Sequence, residues 1–452
     1  MNIVIVGCGE VGADIAAQLS NEEGNAITVV DMSAEKIKEL SAKLDVMGVI
    51  GNGATHTVLE EAGIEKADLL IAVTESDELN LLCCMIAKKT GSCKVIARVR
   101  NPEYRSEREY LKNELGLAML INPEYASAAE IARIIRFPVA TMVEPFAKGR
   151  IELIKFRLSK DNVMVGKSVK SLMAELKSDV LICSVERGED VYIANGDFVF
   201  CEHDTVSIIS TPKNSAAFFK KTGCRGHSVK NAIIIGAGNI SKYLCELLKG
   251  ENISIKVIDR DVKKCEELAS KYPGVIVINA EETDKELLIE EGIANADAFI
   301  ALSDNDEENI LLSLFAKRAG AAKLITKINR TDYDDIIKNL DIDTVIYPKT
   351  VSSDILVRYV RALKNKQGSN VEIMYSFVRG IVEAAQFVVS GGVSFVGTPL
   401  SRLDLKPGVL IAAIIRNDKL IVPRGQDFLL ENDKVIVVTK NLPLEDLSDI
   451  LK

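Results

Sequence analysis

The chain has 452 residues, of which 47% are apolar and 27% charged, and it carries a net charge of -9. A single hydrophobic core stops growing at about 250 to 300 residues, so several compact domains are expected. The acidic balance, with no basic stripe, argues against a nucleic-acid binder, which needs clustered Lys and Arg to displace phosphate counterions.

From the N-terminus, apolar runs at 2–6, 26–30, 46–50, 68–73, 94–98 and 117–121 alternate with amphipathic helical stretches. Runs buried on both faces and separated by helices predict parallel strands joined by right-handed crossovers. The first run starts at Asn2 with no basic n-region or cleavage site before it, so the chain is expected to stay in the cytoplasm. Next come strand-like segments at 151–157, 180–186, 191–194 and 205–210, punctuated by Gly166 and Gly188, with one short helix. A polar, glycine-bearing stretch at 220–230 reads as a linker.

The second half repeats the first. Apolar runs recur at 231–235, 253–258, 274–278, 297–302, 323–328 and 343–346. At a shift of 228 to 229 residues, Gly7-Cys8-Gly9-Glu10-Val11-Gly12 falls on Gly236-Ala237-Gly238-Asn239-Ile240-Ser241. Gly63 to Asp68 likewise falls on Gly292 to Asp297, and Thr74 to Asn80 on Ser303 to Asn309. Colinear agreement at one shift is the mark of a duplication. The fold class expected is therefore α/β: two tandem Rossmann-like parallel-sheet domains, each followed by a small α+β domain. The limits expected are 1–138 and 139–222 for the first pair, 223–230 for the linker, and 231–366 and 367–452 for the second pair. The longest uncharged stretch, 386–401, is broken by Gly391, Gly392, Gly397 and Pro399, so it does not read as a bilayer-spanning helix.

The chemistry concentrates at the strand ends. Gly7, Gly9 and Gly12 form a Gly-x-Gly-x-x-Gly between a strand and a helix, the context in which that motif cradles a pyrophosphate on helix-start amides. Cys8, Glu10 and Val11 belong to the same turn. Asp31 ends the second strand about 20 residues later, where a carboxylate accepts from ribose hydroxyls and repels a 2′-phosphate. NAD(H) or ATP/ADP is thus favoured over NADP. Taken alone, Asp31 would also suit a helix cap near Ser33. Asn52, Val73, Thr74 and Arg98 stand at further strand ends, Arg98 as a diphosphate partner or a loop lock, and Asn52 and Thr74 also as turn or cap residues. In the second half the corresponding candidates are Gly236, Gly238, Asn239, Asp259 and Ser303. That half departs from the first: Ser241 replaces the third glycine, Asn279-Ala280-Glu281 stands for Gly51-Asn52-Gly53, and Lys327 stands for Arg98. The first site is expected to bind nucleotide more tightly.

Nine scattered cysteines without a Cys-x-x-Cys pair suit reduced thiols, and the adjacent Cys83 and Cys84 read as packing residues. His56, His203 and His227 share no metal-ligand spacing, so no metal and no catalytic residue is expected.

The motifs GCGEVG at Gly7 to Gly12, VVD at Val29 to Asp31, GNGAT at Gly51 to Thr55 and DLLIAVT at Asp68 to Thr74 resemble those of the RCK family, in its duplicated KTN plus TrkA-C form, over essentially the whole chain. That resemblance implies a non-enzymatic peripheral subunit on the inner face of the cell membrane, binding NAD(H) or ATP/ADP. Its implied partner is a membrane-embedded potassium transporter subunit of TrkH/TrkG type, gated through a homotetrameric ring. The competing readings are an NAD-dependent oxidoreductase and an assembly protein with empty Rossmann folds. The helical stretches 127–137 and 352–363 are expected either as ring contacts or as core cover.

Overall fold

The computed structural model describes residues 1–452 apart from 21–23, 102–103, 105–106, 138, 147–149, 189, 224–228, 331–336, 338–339, 341, 366–370, 379–380, 391–394, 418, 441, 443 and 445. Most of the expected linker at 223–230, and His227 with it, lies outside the described residues.

The first half opens with β1 (Asn2–Val6), α1 (Glu10–Ser20), β2 (Ala26–Asp31), α2 (Ala34–Lys43), β3 (Met47–Ile50) and α3 (His56–Glu61). It continues with β4 (Leu69–Ala72), α4 (Asp77–Thr90), β5 (Lys94–Arg98), α5 (Arg108–Glu114), β6 (Met119–Ile121) and α6 (Pro123–Arg136). The small module follows as β7 (Ala140–Phe146), β8 (Ile151–Arg157), α7 (Val169–Leu176), β9 (Leu181–Arg187), β10 (Asp190–Ile193), β11 (Thr205–Ser210) and α8 (Pro212–Lys221).

The second half repeats this order. It runs β12 (Asn231–Ile235), α9 (Asn239–Leu247), β13 (Ser254–Asp259), α10 (Val262–Lys271), β14 (Ile276–Asn279), α11 (Lys285–Glu290), β15 (Ala298–Ala301) and α12 (Asp306–Ala319). Then come β16 (Leu324–Lys327), β17 (Thr344–Ile346), α13 (Pro348–Asn365), β18 (Val371–Val378), β19 (Val382–Val388), β20 (Val409–Arg416), β21 (Lys419–Ile421) and β22 (Lys434–Lys440).

By internal contact the chain divides into two units. One gathers residues 1–132 and 230–357, the other 133–229 and 358–452. The first unit holds two six-stranded sheets of order β3-β2-β1-β4-β5-β6 and β14-β13-β12-β15-β16-β17, and every pairing in both is parallel. The order reverses beside β1 and β12, and that switch point is where open α/β sheets leave a crevice at the strands' carboxyl ends. Central strands such as Leu69–Ala72 are buried along their whole length, as helices on both faces require. α4 shows why a helix starts here. Ser76 caps it by accepting from the Leu79 amide, Asp77 and Glu78 complement the helix dipole at its start, and Lys88 and Lys89 do so at its end. Cys83 and Cys84 of the same helix are fully buried in the core with Val95 and Ala97, the packing role expected.

The second unit holds two five-stranded antiparallel sheets, β10-β9-β11-β8-β7 and β18-β19-β22-β20-β21. One face of each contributes to a shared core in which Leu153, Cys183 and Ile209 pack with Ala384, Ala413 and Ile436. The other face of the first small sheet is closed by α7 and α8, with Phe156 meeting Phe219 edge-on at 5.0 Å. Burial of such side chains stabilises by about 1.5 to 3 kcal/mol each. β7, β18 and α8 were not foreseen. Of the two roles expected for 127–137 and 352–363, core cover agrees with the burial of Ile131, Ala132, Ile134 and Ile135 in α6 and of Leu356, Val357 and Val360 in α13.

Candidate functional site

The first crevice is built from the turn between β1 and α1. Gly7 takes φ +103°, a left-handed value that a side chain resists, and a Cβ there would meet the Thr74 amide at 2.9 Å. A Cβ on Gly12 would sit 1.8 Å from the Gly7 carbonyl oxygen, so helix and strand approach more closely than any side chain allows. Nothing lies within 4 Å of a Cβ on Gly9, which faces open space. That opening is where a ligand can reach the helix-start amides.

Asp31 holds this turn in place. Its Oδ2 accepts from the Cys8 amide at 2.6 Å and its Oδ1 from the Ser33 amide at 2.9 Å. Ser33 itself caps α2, so Asp31 is a loop clamp rather than the helix cap. Each carboxylate oxygen keeps a second acceptor site for a hydroxyl. Burial, with Asp31 beside it, pushes the Cys8 thiol up to about 12, so Cys8 is a packing thiol and not a nucleophile.

The β4 side is tied by Asn80, fully buried. Its Oδ1 accepts from the Thr74 amide at 2.8 Å and from the Thr74 hydroxyl at 2.7 Å, and its amide donates to the Arg98 carbonyl at 2.9 Å. Arg98 donates through Nη2 to the Thr74 carbonyl at 2.5 Å, and its buried Nε has no partner among the described residues. Arg98 therefore locks the loop that borders the crevice. Burial and the nearby Arg100 lower its pKa from the usual guanidinium value. Val11 and Val73 turn into the core and offer only backbone to a ligand. Glu10 stands exposed in the first turn of α1. Asn52 accepts from the Ala54 amide at 2.9 Å, a turn contact.

The second crevice has the same frame. Gly236 takes φ +95°. Asp259 accepts from the Ala237 amide at 2.6 Å and from the Asp261 amide at 2.7 Å. Asn309 ties the Ser303 amide at 3.0 Å to the Lys327 carbonyl at 3.0 Å. Ser241 adapts to the missing glycine by donating its hydroxyl to the Gly236 carbonyl. A cavity of about 350 Å³ lies over Gly238, Asn239 and Ser241, with Lys264 and Lys327 on its wall. A second, of about 460 Å³, lies between Asp259, Ser303 and Glu282.

The pairing registers correct one sequence alignment. Asp31 pairs with Ile50, and Asp259 with Asn279, so the residues equivalent to Gly51-Asn52-Gly53 are Ala280-Glu281-Glu282. The shift is 228 at the second strand and returns to 229 at the third, because a one-residue shortening before β13 is offset by one extra residue after it. Glu282 is the residue that sequence reasoning missed. It is buried, its Oε2 has no partner among the described residues, and burial pushes its carboxyl up, with Asp259 and Glu281 adding to the effect. Lys327 spends its charge on Asp304 at 3.0 Å.

The two copies also touch. The Tyr243 hydroxyl on α9 donates to the Arg100 carbonyl at 3.2 Å and accepts from the Asn122 amide at 3.1 Å, and its ring meets Tyr125 edge-on at 5.6 Å. Neither sequence periodicity nor motif spacing signals this contact.

The TrkA-N domain family matches residues 3–123 and 232–348, and the TrkA-C domain family matches 153–223 and 384–452. The chain is 31% identical over 460 residues to "Trk system potassium uptake protein TrkA homolog 2" of Methanosarcina mazei, covering 100% of both chains. It is 32% identical over 453 residues to the TrkA homolog of Archaeoglobus fulgidus, again with 100% of both covered. It is 31% identical over 453 residues to TrkA of Haemophilus influenzae, covering 98% of this chain and 97% of that one. Among solved structures, the "GsuK channel bound to NAD" shares the fold at TM-score 0.65 and 18% identity, over 97% of this chain and 76% of that one. The "GsuK bound to ADP" structure shares it at TM-score 0.51 and 16% identity, over 81% and 69%. With both domain families matched twice in the order read from the repeat, and full-length relatives above 30% identity, the chain belongs to the TrkA family of Trk-system potassium-uptake proteins.

Proposed function

We propose that the chain is a nucleotide-binding regulatory subunit of a Trk-type potassium-uptake system, working from the inner face of the membrane on a TrkH/TrkG-type transporter. The observation that carries this reading is the open Gly9 turn, clamped by Asp31 at the switch point of the first sheet and repeated at Gly238 and Asp259. Helix-start amides receive a diphosphate, and a carboxylate ending the second strand receives the ribose. NAD(H) and ATP/ADP share those groups, and the two GsuK structures that share the fold are bound to NAD and to ADP. In this reading Gly7, Cys8, Gly9, Glu10, Asp31, Thr74 and Arg98 frame the first site, and Gly236, Gly238, Asn239, Asp259 and Ser303 the second.

Among the described residues no helix is long and apolar enough to cross a membrane, which agrees with a peripheral role. A homotetrameric ring is supported by equivalent exposed apolar positions in both copies: Leu82 and Met85 on α4, and Leu311 on α12, where a groove of about 420 Å³ runs beside Leu314 and Phe315. Buried on neighbouring copies, these faces would close a symmetric assembly. His56, the histidine nearest the first crevice in sequence, pairs with Glu60 at 3.2 Å on the exposed side of α3, so it lends no support to an oxidoreductase.

The test is calorimetric titration of the intact chain with NADH, NADPH and ATP, alongside co-purification from native membranes at low salt. Binding of NADH or ATP with recovery of a potassium-transporter subunit is expected. No nucleotide binding, or turnover of NADH with a carbonyl substrate, would overturn the reading.

A further inference from the structure

Each glycine turn faces the start of a helix from the other copy. α13 of the second half begins at Pro348, and the Nζ of its second residue, Lys349, lies 4.0 Å from Glu10 Oε2 at the first turn. α6 of the first half begins at Pro123, and its second residue, Glu124, lines the 350 Å³ cavity over Gly238 and Asn239. The two residues occupy equivalent places and carry opposite charges.

Helix stability explains only one of them. A carboxylate in the first turn of a helix is favoured by the helix dipole, whereas an ammonium there is disfavoured. The first turn of α13 has no acidic residue to offset Lys349. Its ion pair with Glu10 is at the limit of contact, and Glu10 is 64% exposed, so that pair contributes little to helix stability. Lys349 itself is only 17% exposed and is held at the mouth of an anion-binding turn. An ammonium so placed is free to exchange a weak carboxylate partner for a phosphate. At the second turn the arrangement is reversed. Glu124 Oε2 is buried without a hydrogen-bond partner among the described residues, its Oε1 is 3.9 Å from Arg100, and burial pushes the carboxyl up. Negative charge brought to that cavity meets a carboxyl at the facing helix start, where the first turn has an ammonium; of the lysines on the cavity wall, Lys242 is paired with Glu267 and Lys327 with Asp304, and Lys264 lies beside them.

We infer that Lys349 is a phosphate ligand of the first crevice, supplied by the second half, and that Glu124 in the equivalent place makes the second crevice less tolerant of phosphate charge. The ligand class of the first crevice is accordingly a nucleoside polyphosphate, with affinity rising from AMP to ADP to ATP. A ligand bound there links the two copies directly. The inference rests on the nucleotide-binding reading and extends it to a specificity-determining residue.

The test is site-resolved. The intact chain is photolabelled with 8-azido-ATP in a chelator-containing buffer, with ATP, ADP or AMP as competitor, and labelled peptides are assigned to the first or second half. Lys349→Met is expected to weaken ATP competition at the first half about tenfold, the worth of one charge-assisted contact, with a smaller loss for ADP and the smallest for AMP. Lys349→Arg should restore it. Glu10→Gln, which frees the ammonium, should strengthen ATP competition there without touching Lys349, so the idea stays testable if Lys349→Met unfolds. Glu124→Gln should steepen the AMP-to-ATP order at the second half. Equal losses for all three nucleotides in Lys349→Met, or no change in Glu10→Gln, would overturn the inference. Absence of label from both halves of the unaltered chain would instead refute nucleotide binding itself.

Discussion

Asp31→Asn is expected to disable the first crevice about as fully as Asp31→Ala, although it changes one atom. Both carboxylate oxygens are engaged by backbone donors, Oδ2 by Cys8 at 2.6 Å and Oδ1 by Ser33 at 2.9 Å. A carboxamide has one acceptor oxygen and one NH2, so in either orientation an N–H is set against an N–H. Hydrogen bonds to a charged group contribute about 1.5 to 3 kcal/mol each. Losing one of them releases the turn that presents the Gly9 opening, and a ligand must then restore its geometry. At 1.4 kcal/mol per tenfold, affinity should fall roughly 10- to 100-fold. The assay is calorimetry on the intact chain with ATP and with NADH, comparing Asp31→Asn, Asp31→Ala and the parallel Asp259→Asn. If Asp31→Asn binds within about twofold of the unaltered chain while Asp31→Ala does not, the two-amide clamp is unnecessary and the reasoning fails.

Three further outcomes follow from the same geometry. Gly12→Ala should weaken first-half photolabelling roughly 10- to 100-fold, because its Cβ meets the Gly7 carbonyl at 1.8 Å and overpacking of this kind costs about 1 to 3 kcal/mol; Ser241→Gly should leave second-half labelling intact, and equal losses would show that both turns have one geometry. Glu282→Gln should raise the melting temperature more at neutral pH than at acid pH below the ordinary carboxylate range: the folded carboxyl is raised above its ordinary value, so the folded state holds the proton longer and stability falls as pH rises from the ordinary carboxyl value through the raised one. A shift independent of pH would refute the burial argument. Arg187→Ala should lower stability in urea by about 1.5 to 3 kcal/mol, since the guanidinium makes two 2.8 Å bonds to the fully buried Asp204; the equivalent Arg416→Ala, facing Asp433, should behave alike, and a change under about 0.5 kcal/mol in both would show that solvent replaces the pair.

The parallel sheets were legible because their strands are short apolar runs with no competing period. The expected 2–6, 94–98 and 231–235 coincide with the strands Asn2–Val6, Lys94–Arg98 and Asn231–Ile235. The glycine turns were legible because φ values near +100° at Gly7 and Gly236 admit little else. β7 was not, since Ala140–Phe146 carries a proline and a glutamate and draws its strand character from pairing with β8. The clamp role of Asp31 was hidden behind its expected ribose role, because a carboxylate ending a strand suits both. Glu282 was missed through a one-residue slip in the repeat, which only strand register resolves. The contacts of Tyr243 with Arg100, and of Lys349 with Glu10, join residues more than 140 positions apart, and no local pattern encodes them.

The duplication gives these long-range contacts their meaning. Thr74, at the edge of the first crevice, is bound to Asn80, and Asn80 to the Arg98 carbonyl. Two residues on, the Arg100 amide is fixed by the buried Asp77 at 2.8 Å, while its carbonyl accepts from Asn122 and from Tyr243 of the other copy. The residues that border the ligand opening are thus one hydrogen-bonded chain away from the interface between copies. Such a chain transmits only where an element has two arrangements and the ligand favours one. The Lys349 ammonium has two partners of unequal charge, Glu10 or a phosphate, and its helix α13 begins beside the glycine turn of the first copy. Two copies on separate chains would have to keep identical residues at both turns. Fused in one chain, they carry Lys at one and Glu at the other, so the facing helix start presents opposite charge to the two crevices.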